Sequence, residues 1–332
     1  MRIAVIGFGT VSKSLLRVLV DKSKMILNDY GVEIKTVGVF KRDGAFINNN
    51  GLDLERILSS ESYRVEADWV DVADFNKIAD ELKCECAVEL TPTNVETGEP
   101  GLSHIKTALQ HGMDVVTANK GPLALYYPEL MDLANQVKRR ILFEATVAGA
   151  IPLFNLVRNN LRANRILSVK GILNGTTNYI LSRMTSEKLP FKIVLKEAQK
   201  LGFAEADPSY DVDGIDAAAK LVILSNALLK QECRFKDVKR QGIRDITPEA
   251  IELARKDGFL IKHLATNEDG VLEVAPRLVE IGSSFAVSGS LNVVKLQTDL
   301  AKDLTLIGRG AGGVETASSV LNDILELAIL RR

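Results

Sequence analysis

The sequence is poor in the residues that build disulfide frameworks and metal clusters. It holds three cysteines and three histidines among 332 residues. A sparse, odd cysteine count is typical of a reducing compartment. Lysine and arginine together number 42 against 43 acidic residues, so the basic excess of a general nucleic-acid binder is missing. No apolar run approaches the roughly 18 residues of a membrane-spanning helix. We therefore expect a cytoplasmic protein with neither a membrane nor a nucleic-acid partner.

The order of short apolar segments indicates two domains, as expected for a chain of 332 residues. In the first half, β-branched runs alternate with helical spacing. The predicted strands cover residues 3–6, 34–40, 87–90, 115–117 and 141–144, and the predicted helices cover 11–20, 103–111 and 123–138. Such alternation predicts an α/β domain over residues 1–138, built on a Rossmann-type, doubly wound parallel sheet.

The second half lacks this regular alternation. The predicted strands cover 166–173, 259–265, 271–275 and 291–296, and the predicted helices cover 191–201, 213–229 and 316–330. The strands around Asn267-Glu268-Asp269-Gly270 form a predicted β-hairpin. We expect an α+β domain over residues 139–310, and we expect residues 311–332 to pack back on the first domain.

A glycine turn directly joins the first predicted strand to the first predicted helix. Its pattern, G-x-G-x-x-S, is typical of dinucleotide binding, with serine at the third glycine position. The first glycine permits the tight turn, and the second lets a pyrophosphate approach the helix N-terminus. A plain glycine turn in an α/β domain is the alternative. The candidate cofactor contacts here are Gly7, Phe8, Gly9, Thr10, Val11 and Ser12.

The second predicted strand ends in Lys41 and Arg42, where NAD-binding domains usually carry an acidic residue. Two cations suit the 2′-phosphate of NADP, so NADP is favoured over NAD. A solvated turn is the alternative interpretation. Asp43, the next residue, could also bind the ribose of NAD.

Five carboxylates crowd residues 205–216, immediately before a predicted helix. An EF-hand calcium loop centred on Gly214 would need a glutamate where Lys220 stands, which excludes that interpretation. An acidic, solvated helix start is a second alternative. Against it, Asp216 and Lys220 lie four residues apart on one helix face and residues 221–224 are all apolar. A lysine drawn towards a core needs a carboxylate partner, and such pairs are enriched at functional sites.

The pattern E-x-D-P…D-x-x-G-x-D-x-x-x-K of residues 205–220 resembles the signature of the homoserine dehydrogenase family. Segments 115–120 (VVTANK), 144–152 (EATVAGAIP), 171–180 (GILNGTTNYI) and 310–317 (GAGGVETA) are similar to further motifs of that family, in the same order. The resemblance implies NAD(P)-dependent interconversion of L-homoserine and L-aspartate 4-semialdehyde. It also implies a homodimer, in a short form without a C-terminal regulatory domain. Rival hypotheses are a dehydrogenase for another amino-acid aldehyde and a nucleotide sensor with a degenerate site.

The resemblance also assigns roles to residues. Lys220 is the expected proton donor, Asp216 is expected to hold and tune it, and Lys120 is a second catalytic candidate that also faces the cofactor. The expected substrate contacts are Glu205, Asp211, Gly175 and Thr176. Further cofactor contacts are expected at Thr91, Gly312 and Thr316. The positions that match a structural sodium site of the family are Glu144, Val147, Gly149 and Ile151.

Overall fold

The computed structural model describes residues 1–60 and 62–331. The chain divides into two compact units. The first unit holds Met1–Thr146 and the described residues from Gly312 onward, and the second unit is Val147–Ala311. The first unit runs past the boundary expected at residue 138 because a short strand, Ile141–Leu142, pairs with its sheet.

Each unit is built around one sheet. The strands, in chain order, are β1 (Arg2–Ile6), β2 (Lys35–Phe40), β3 (Gly44–Ile47), β4 (Trp69–Asp71), β5 (Cys86–Glu89), β6 (Asp114–Thr117), β7 (Ile141–Leu142), β8 (Ile166–Ile172), β9 (Lys239–Arg240), β10 (Phe259–Glu268), β11 (Val271–Glu280), β12 (Leu291–Thr298) and β13 (Asp303–Arg309). The first sheet has the order β4-β3-β2-β1-β5-β6-β7, and the second has the order β13-β12-β8-β10-β11-β9.

Twelve helices are found among the described residues. They are α1 (Thr10–Tyr30), α2 (Leu54–Ser59), α3 (Phe75–Ile78), α4 (Gly101–Gln110), α5 (Lys120–Gln136), α6 (Leu153–Asn160), α7 (Gly175–Glu187), α8 (Phe191–Lys200), α9 (Ser209–Val212), α10 (Ile215–Leu228), α11 (Pro248–Lys256) and α12 (Gly313–Leu330). No helix in the described part of the chain is both long and apolar enough to cross a membrane.

The first sheet confirms the predicted Rossmann-type fold. Strands β2, β1, β5, β6 and β7 are parallel neighbours. The chain order reverses between β1 and β5, and ligands of doubly wound folds bind at the carboxyl ends of the strands beside such a reversal. The antiparallel β3 and β4, which extend the sheet beyond β2, were not predicted.

The first and last helices of the chain share one core. Helix α1 continues ten residues beyond its predicted end and stops at Gly31, which adopts a left-handed conformation with φ of 60°. Helix α12 packs along it, and Val320, Ile324 and Leu327 are fully buried. The buried apolar side chains of the final helix therefore belong to the core of the first unit.

The second sheet is mostly antiparallel, as expected for an α+β unit. The predicted hairpin is β10–β11, with ten paired residues in each strand and a turn at Asp269-Gly270. Both turn residues have positive φ, which matches the right-handed twist of paired strands. Helix α10 packs on this sheet, and every residue from 216 to 226 in it is buried.

Lys262 of β10 is a buried cation that the sequence did not single out; its exposed fraction is 3%. Its Nζ donates to Asn178 Oδ1 (2.8 Å), Ser182 Oγ (3.2 Å) and the Val287 carbonyl (2.6 Å). All three acceptors are neutral. Burial lowers the pKa of Lys262 to about 8.

Because of the lowered pKa of Lys262, we expect the free energy of unfolding to rise at alkaline pH. Between pH 8 and 10.5 the unfolded chain binds a proton at Lys262 that the folded chain has released, so the free energy of unfolding increases with pH. The gain is up to about 3 kcal/mol, at about 1.4 kcal/mol per pKa unit. We expect urea unfolding at both pH values to show this rise, and Lys262→Met to remove it. The exposed Lys256→Met should keep it, and an unchanged slope in Lys262→Met would contradict the prediction.

Candidate functional site

The glycine turn between β1 and α1 leaves open space where a phosphate group could approach. Gly7 has φ of 101°, and a Cβ there would lie 2.8 Å from the Leu90 carbonyl oxygen, so a side chain is excluded. Gly9 is extended and precedes the first turn of α1, and a Cβ built on it meets no atom within 4 Å. The first N–H groups of a helix lack intrahelical partners, so the start of α1 has donors to offer a ligand. Ser12 is fully buried, as expected for a small residue at the third glycine position.

The start of α12 lies beside this turn. A Cβ on Gly313 would lie 2.7 Å from Ser14 Oγ and 2.9 Å from Thr10 Cγ2. The Thr316 N–H donates to the Gly312 carbonyl (3.0 Å) in the first turn of α12. The structure thus places Gly312 and Thr316 next to the N-terminus of α1.

The basic pair after β2 occupies two different environments. Lys41 Nζ lies 4.0 Å from the ring centre of Tyr63 and 3.6 Å from Asp43 Oδ1. Tyr63 in turn packs edge-on against Phe8 of the glycine turn, with ring centres 5.7 Å apart. Arg42 is exposed. Lys41 is therefore held near the turn by Tyr63, an aromatic side chain that was not predicted to lie there.

Thr91 and Lys120 follow the neighbouring strands β5 and β6. Asn119 links them, because its Nδ2 donates to Thr91 Oγ1 (3.2 Å) while its Oδ1 accepts from the Gly121 N–H (3.0 Å) and caps α5. The Lys120 N–H donates to Thr93 Oγ1 (3.4 Å). These residues lie at the carboxyl edge of the first sheet, beside the chain reversal.

In the second unit, Lys220 and Asp216 form the predicted pair. Lys220 Nζ donates to Asp216 Oδ2 (2.7 Å) and to the Leu173 carbonyl (2.7 Å). The exposed fractions are 7% and 5%, so the pair is largely withdrawn from water. An ammonium group has three N–H donors, and the third meets no acceptor among the described residues.

Asn174 connects this pair to Asp211. Its Nδ2 donates to Asp216 Oδ2 (2.9 Å) and to Asp211 Oδ1 (2.6 Å), and its Oδ1 caps α7 by accepting from the Thr177 N–H (2.9 Å). Burial and the neighbouring charge of Asp216 raise the pKa of Asp211, and the hydrogen bond from Asn174 opposes them. Asn174 was not among the predicted site residues, although its position before Gly175-Thr176 is typical of a helix N-cap.

The remaining substrate candidates are Gly175, Thr176 and Glu205. Gly175 opens α7 against Ser290, whose carbonyl oxygen would lie 2.8 Å from a Cβ on Gly175. Thr176 Oγ1 donates to the Phe203 carbonyl (2.7 Å). Glu205 is exposed, in a turn that Gln199 holds through the Glu205 carbonyl (3.0 Å). Tyr210 was not predicted; its hydroxyl is buried without a hydrogen-bond partner among the described residues. Burial and the charges of Asp216 and Asp211 raise the pKa of that hydroxyl.

The segment that matches a sodium site contains an unusual turn. Ala148 and Gly149 are both left-handed, with φ of 60° and 55°. A Cβ on Gly149 would lie 2.6 Å from the Gly310 carbonyl carbon, so only glycine fits. Val147 and Ile151 are buried in the second unit. Glu144 is buried in the first unit, where its N–H donates to Asp323 Oδ2 (2.8 Å). Among the described residues, no group of three or more histidine, cysteine or acidic side chains is arranged to bind a metal.

Comparisons with known proteins identify the family to which the chain belongs. The family model "Homoserine dehydrogenase, NAD binding domain" matches residues 7–144, and the model "Homoserine dehydrogenase" matches residues 152–325. A homoserine dehydrogenase of Methanocaldococcus jannaschii is 44% identical over 336 residues, which is 98% of each chain. An NAD(+)-dependent homoserine dehydrogenase of Pseudomonas canavaninivorans is 34% identical over 98% of this chain and 96% of its own.

A solved structure of a homoserine dehydrogenase is also similar to this chain. A hyperthermophilic archaeal homoserine dehydrogenase mutant in complex with NADPH superposes with a TM-score of 0.86 at 30% identity, over 100% of this chain and 98% of that chain. The resemblance inferred from the motifs is thereby confirmed. The chain belongs to the homoserine dehydrogenase family and is an NAD(P)-dependent oxidoreductase that acts on a CH–OH group.

Proposed function

We propose that Lys220 is the acid–base residue with which this chain interconverts L-homoserine and L-aspartate 4-semialdehyde. Nζ gives a proton to the aldehyde oxygen as homoserine forms, and takes the hydroxyl proton in the reverse direction. The nicotinamide cofactor supplies or accepts the hydride. The observation that carries the proposal is the buried Lys220–Asp216 pair. Asp216 and the Leu173 carbonyl fix two N–H groups of Nζ, and the third is left for a substrate oxygen.

The acidic residues near this lysine suit the α-ammonium group of the substrate. Burial and Asp216 raise the pKa of Asp211, so a cation placed beside Asp211 would offset both effects. Glu205 is proposed as a second carboxylate for the same ammonium group. Thr176 already donates its hydroxyl hydrogen to Phe203, so its oxygen can accept a hydrogen bond from the substrate. Gly175 is proposed to contact the substrate through its backbone.

The cofactor is proposed to lie along the carboxyl edge of the first sheet. Gly9 and the start of α1 would hold the pyrophosphate, and Lys41 and Arg42 would face the adenosine ribose. Lys120 is proposed both to contact the nicotinamide half and to assist catalysis. The other proposed contacts are Gly7, Phe8, Thr10, Val11, Ser12, Thr91, Gly312 and Thr316.

A spectrophotometric assay tests the proposed function directly. The purified protein is mixed with L-homoserine and, separately, NAD or NADP, and nicotinamide reduction is followed. We expect reduction that disappears when homoserine is omitted. Nucleotide binding without reduction by either cofactor would contradict the proposed substrate and favour another amino-acid aldehyde.

The basic pair predicts a preference for NADP. A charged hydrogen bond to phosphate contributes roughly 1.5–3 kcal/mol, so removing both cations should weaken NADP binding by about tenfold or more. NAD lacks the 2′-phosphate, so its affinity should change by less than about twofold. Calorimetric titration of Lys41→Ala/Arg42→Ala with both nucleotides measures the difference, and Arg42→Lys is the control that keeps the charge. Equal losses for the two nucleotides would remove the 2′-phosphate role.

A structural sodium ion is proposed at the carbonyl groups of Glu144, Val147, Gly149 and Ile151. Backbone oxygens are suitable ligands for a hard cation. The two successive left-handed residues in this segment, Ala148 and Gly149, support the proposal because they hold the backbone in a sharp turn. The ion would stabilise this turn and take no part in proton transfer.

A homodimer is proposed for the catalytic unit. Strands of the second sheet carry exposed apolar side chains, among them Leu167, Leu278 and Ile307, with exposed fractions of 41%, 59% and 49%. Such side chains are candidates for burial against a second copy. Light scattering on the protein as it elutes from a size-exclusion column would give its mass.

The three free cysteines support a further proposal, a cytoplasmic location.

A further inference from the structure

A carboxylate that takes no part in the proposed proton transfer is completely buried in the first unit, at the carboxyl end of β5. Glu89 is 0% exposed. Its Oε1 accepts from the Thr91 hydroxyl in a short hydrogen bond and from the Thr91 N–H (3.2 Å). The same oxygen lies 3.4 Å from His104 Nδ1. Oε2 lies 3.4 Å from Thr117 Oγ1, whose hydroxyl donates at the shorter distance of 3.1 Å to the Glu89 backbone carbonyl. Glu89 thus binds the residues that follow or end two adjacent strands.

The bond to Glu89 fixes the polarity of the Thr91 hydroxyl. A hydroxyl has one hydrogen to donate and two lone pairs to accept with. Its hydrogen goes to the Glu89 carboxylate, and one lone pair accepts from Asn119 Nδ2 (3.2 Å). The remaining lone pair is an acceptor only. A ligand group that binds Thr91 Oγ1 must therefore be a hydrogen-bond donor, which a phosphate oxygen is not.

The same network sets the position of α5. Thr117 Oγ1 accepts from the Asn119 N–H (3.0 Å), and Asn119 caps the helix that begins at Lys120. Gly101 lets α4 approach closely, since a Cβ there would lie 2.6 Å from Asn119 Nδ2 and 3.2 Å from Glu89 Oε2. A change of the Glu89 side chain would therefore act first on Thr91, because Thr117 keeps its hydrogen bond to the Glu89 backbone carbonyl.

The order of the strands indicates which half of a dinucleotide meets Thr91. The end of β2 holds the adenosine ribose in this fold, and the start of α1 holds the pyrophosphate. Strand β5 lies on the other side of β1 from β2. A dinucleotide that spans the chain reversal therefore places its nicotinamide riboside half at β5.

We propose that Glu89 is a positioning residue that turns Thr91 Oγ1 into an acceptor for a donor group of the nicotinamide riboside, its carboxamide N–H or a ribose hydroxyl. This inference rests on the proposed function and adds to it a residue that contacts no cofactor atom itself. Its effect should fall on the nicotinamide half alone.

The test compares NADPH with ADP, which lacks the nicotinamide riboside and the 2′-phosphate. The 2′-phosphate is proposed to bind at the end of β2, on the other side of β1, so its contribution should be the same in the unaltered protein and in the variants. Glu89→Gln keeps an amide oxygen that can accept the Thr91 hydrogen, so this conservative variant should retain NADPH affinity. Glu89→Met removes both carboxylate oxygens at similar volume and leaves the Thr91 hydroxyl without this acceptor. In Glu89→Met we expect the dissociation constant of NADPH to rise about tenfold or more, and that of ADP to change by less than about twofold. Thr91→Val should show the same selective loss of NADPH affinity. Thr91→Ser keeps the hydroxyl and should retain NADPH affinity.

Asp114 is the matched control, because it is also buried in the first unit but lies at the amino end of β6. Its Oδ1 accepts from the Arg140 N–H (2.9 Å), and its Oδ2 pairs with Arg331 (2.6 Å). Asp114→Asn should leave the NADPH-to-ADP affinity ratio unchanged. Equal weakening of both ligands in Glu89→Met, or no weakening, would overturn the inference. If Glu89→Met does not fold, Thr91→Val decides by the same ratio. Failure of the unaltered protein to oxidise homoserine would instead refute the proposed function.

Discussion

Replacing Lys220 with alanine is expected to lower kcat by about 10²–10⁴-fold, the usual contribution of a positioned acid or base. Nucleotide affinity should stay within about twofold, because Lys220 belongs to the second unit and the glycine turn to the first. Steady-state kinetics with L-homoserine and a separate NADPH titration measure the two effects. Turnover within tenfold of the unaltered enzyme would contradict the assigned role.

A loss of activity in Lys220→Ala could also arise from misfolding. The variant leaves the Asp216 carboxylate buried without its cation, and an uncompensated buried charge costs about 3–5 kcal/mol. The double variant Asp216→Asn/Lys220→Met removes both charges at similar volume, and replacing a buried pair in this way is often neutral for stability. We expect it to melt near the temperature of the unaltered enzyme and yet remain inactive. An active double variant would show that neither side chain transfers the proton.

Much of the first unit could be predicted because its signals are local. Strands β1, β2, β5 and β6 are short, largely apolar runs, and the glycine turn follows β1 directly. The hairpin of β3 and β4 was missed because neither strand is long or strongly alternating. Both are held by aromatic contacts, such as Phe46 with Trp69, that join residues distant in sequence. Helix α1 was predicted too short because residues 21–25 are mostly polar, although Ile26 returns to the core.

In the candidate site, too, local features were predicted from the sequence and long-range contacts were not. The spacing of Asp216 and Lys220 predicted their pairing, since residues four apart on a helix share a face. The roles of Asn174 and Glu89 could not be predicted. Asn174 meets Asp211 and Asp216 from 37 and 42 residues away, and Glu89 meets Thr117 from 28 residues away. Contacts at such separations depend on tertiary packing and leave no periodic signal in the sequence.

Replacing each glycine of the turn with alanine is expected to have a different effect. Gly7→Ala should lose stability, and Gly9→Ala should lose ligand affinity. A Cβ on Gly7 would lie 2.8 Å from the Leu90 carbonyl oxygen, and its φ of 101° disfavours any side chain. Gly7→Ala should therefore destabilise the fold by roughly 1–3 kcal/mol for backbone strain alone. Gly9 has an ordinary φ of −92° and open space around it, so Gly9→Ala should fold with unchanged stability.

The expected loss in Gly9→Ala is confined to ligand binding. The added methyl group stands where a pyrophosphate would approach the backbone, so NADPH affinity should fall by about tenfold or more. Thermal melting without nucleotide and calorimetric titration with NADPH separate the two properties. A Gly9→Ala variant that binds NADPH normally would show that the phosphates lie elsewhere. A Gly9→Ala variant that melts early would show that the turn is tighter than its geometry indicates. Because Gly7 is constrained by the protein and Gly9 only by the ligand, the pair distinguishes a glycine needed for folding from one needed for binding.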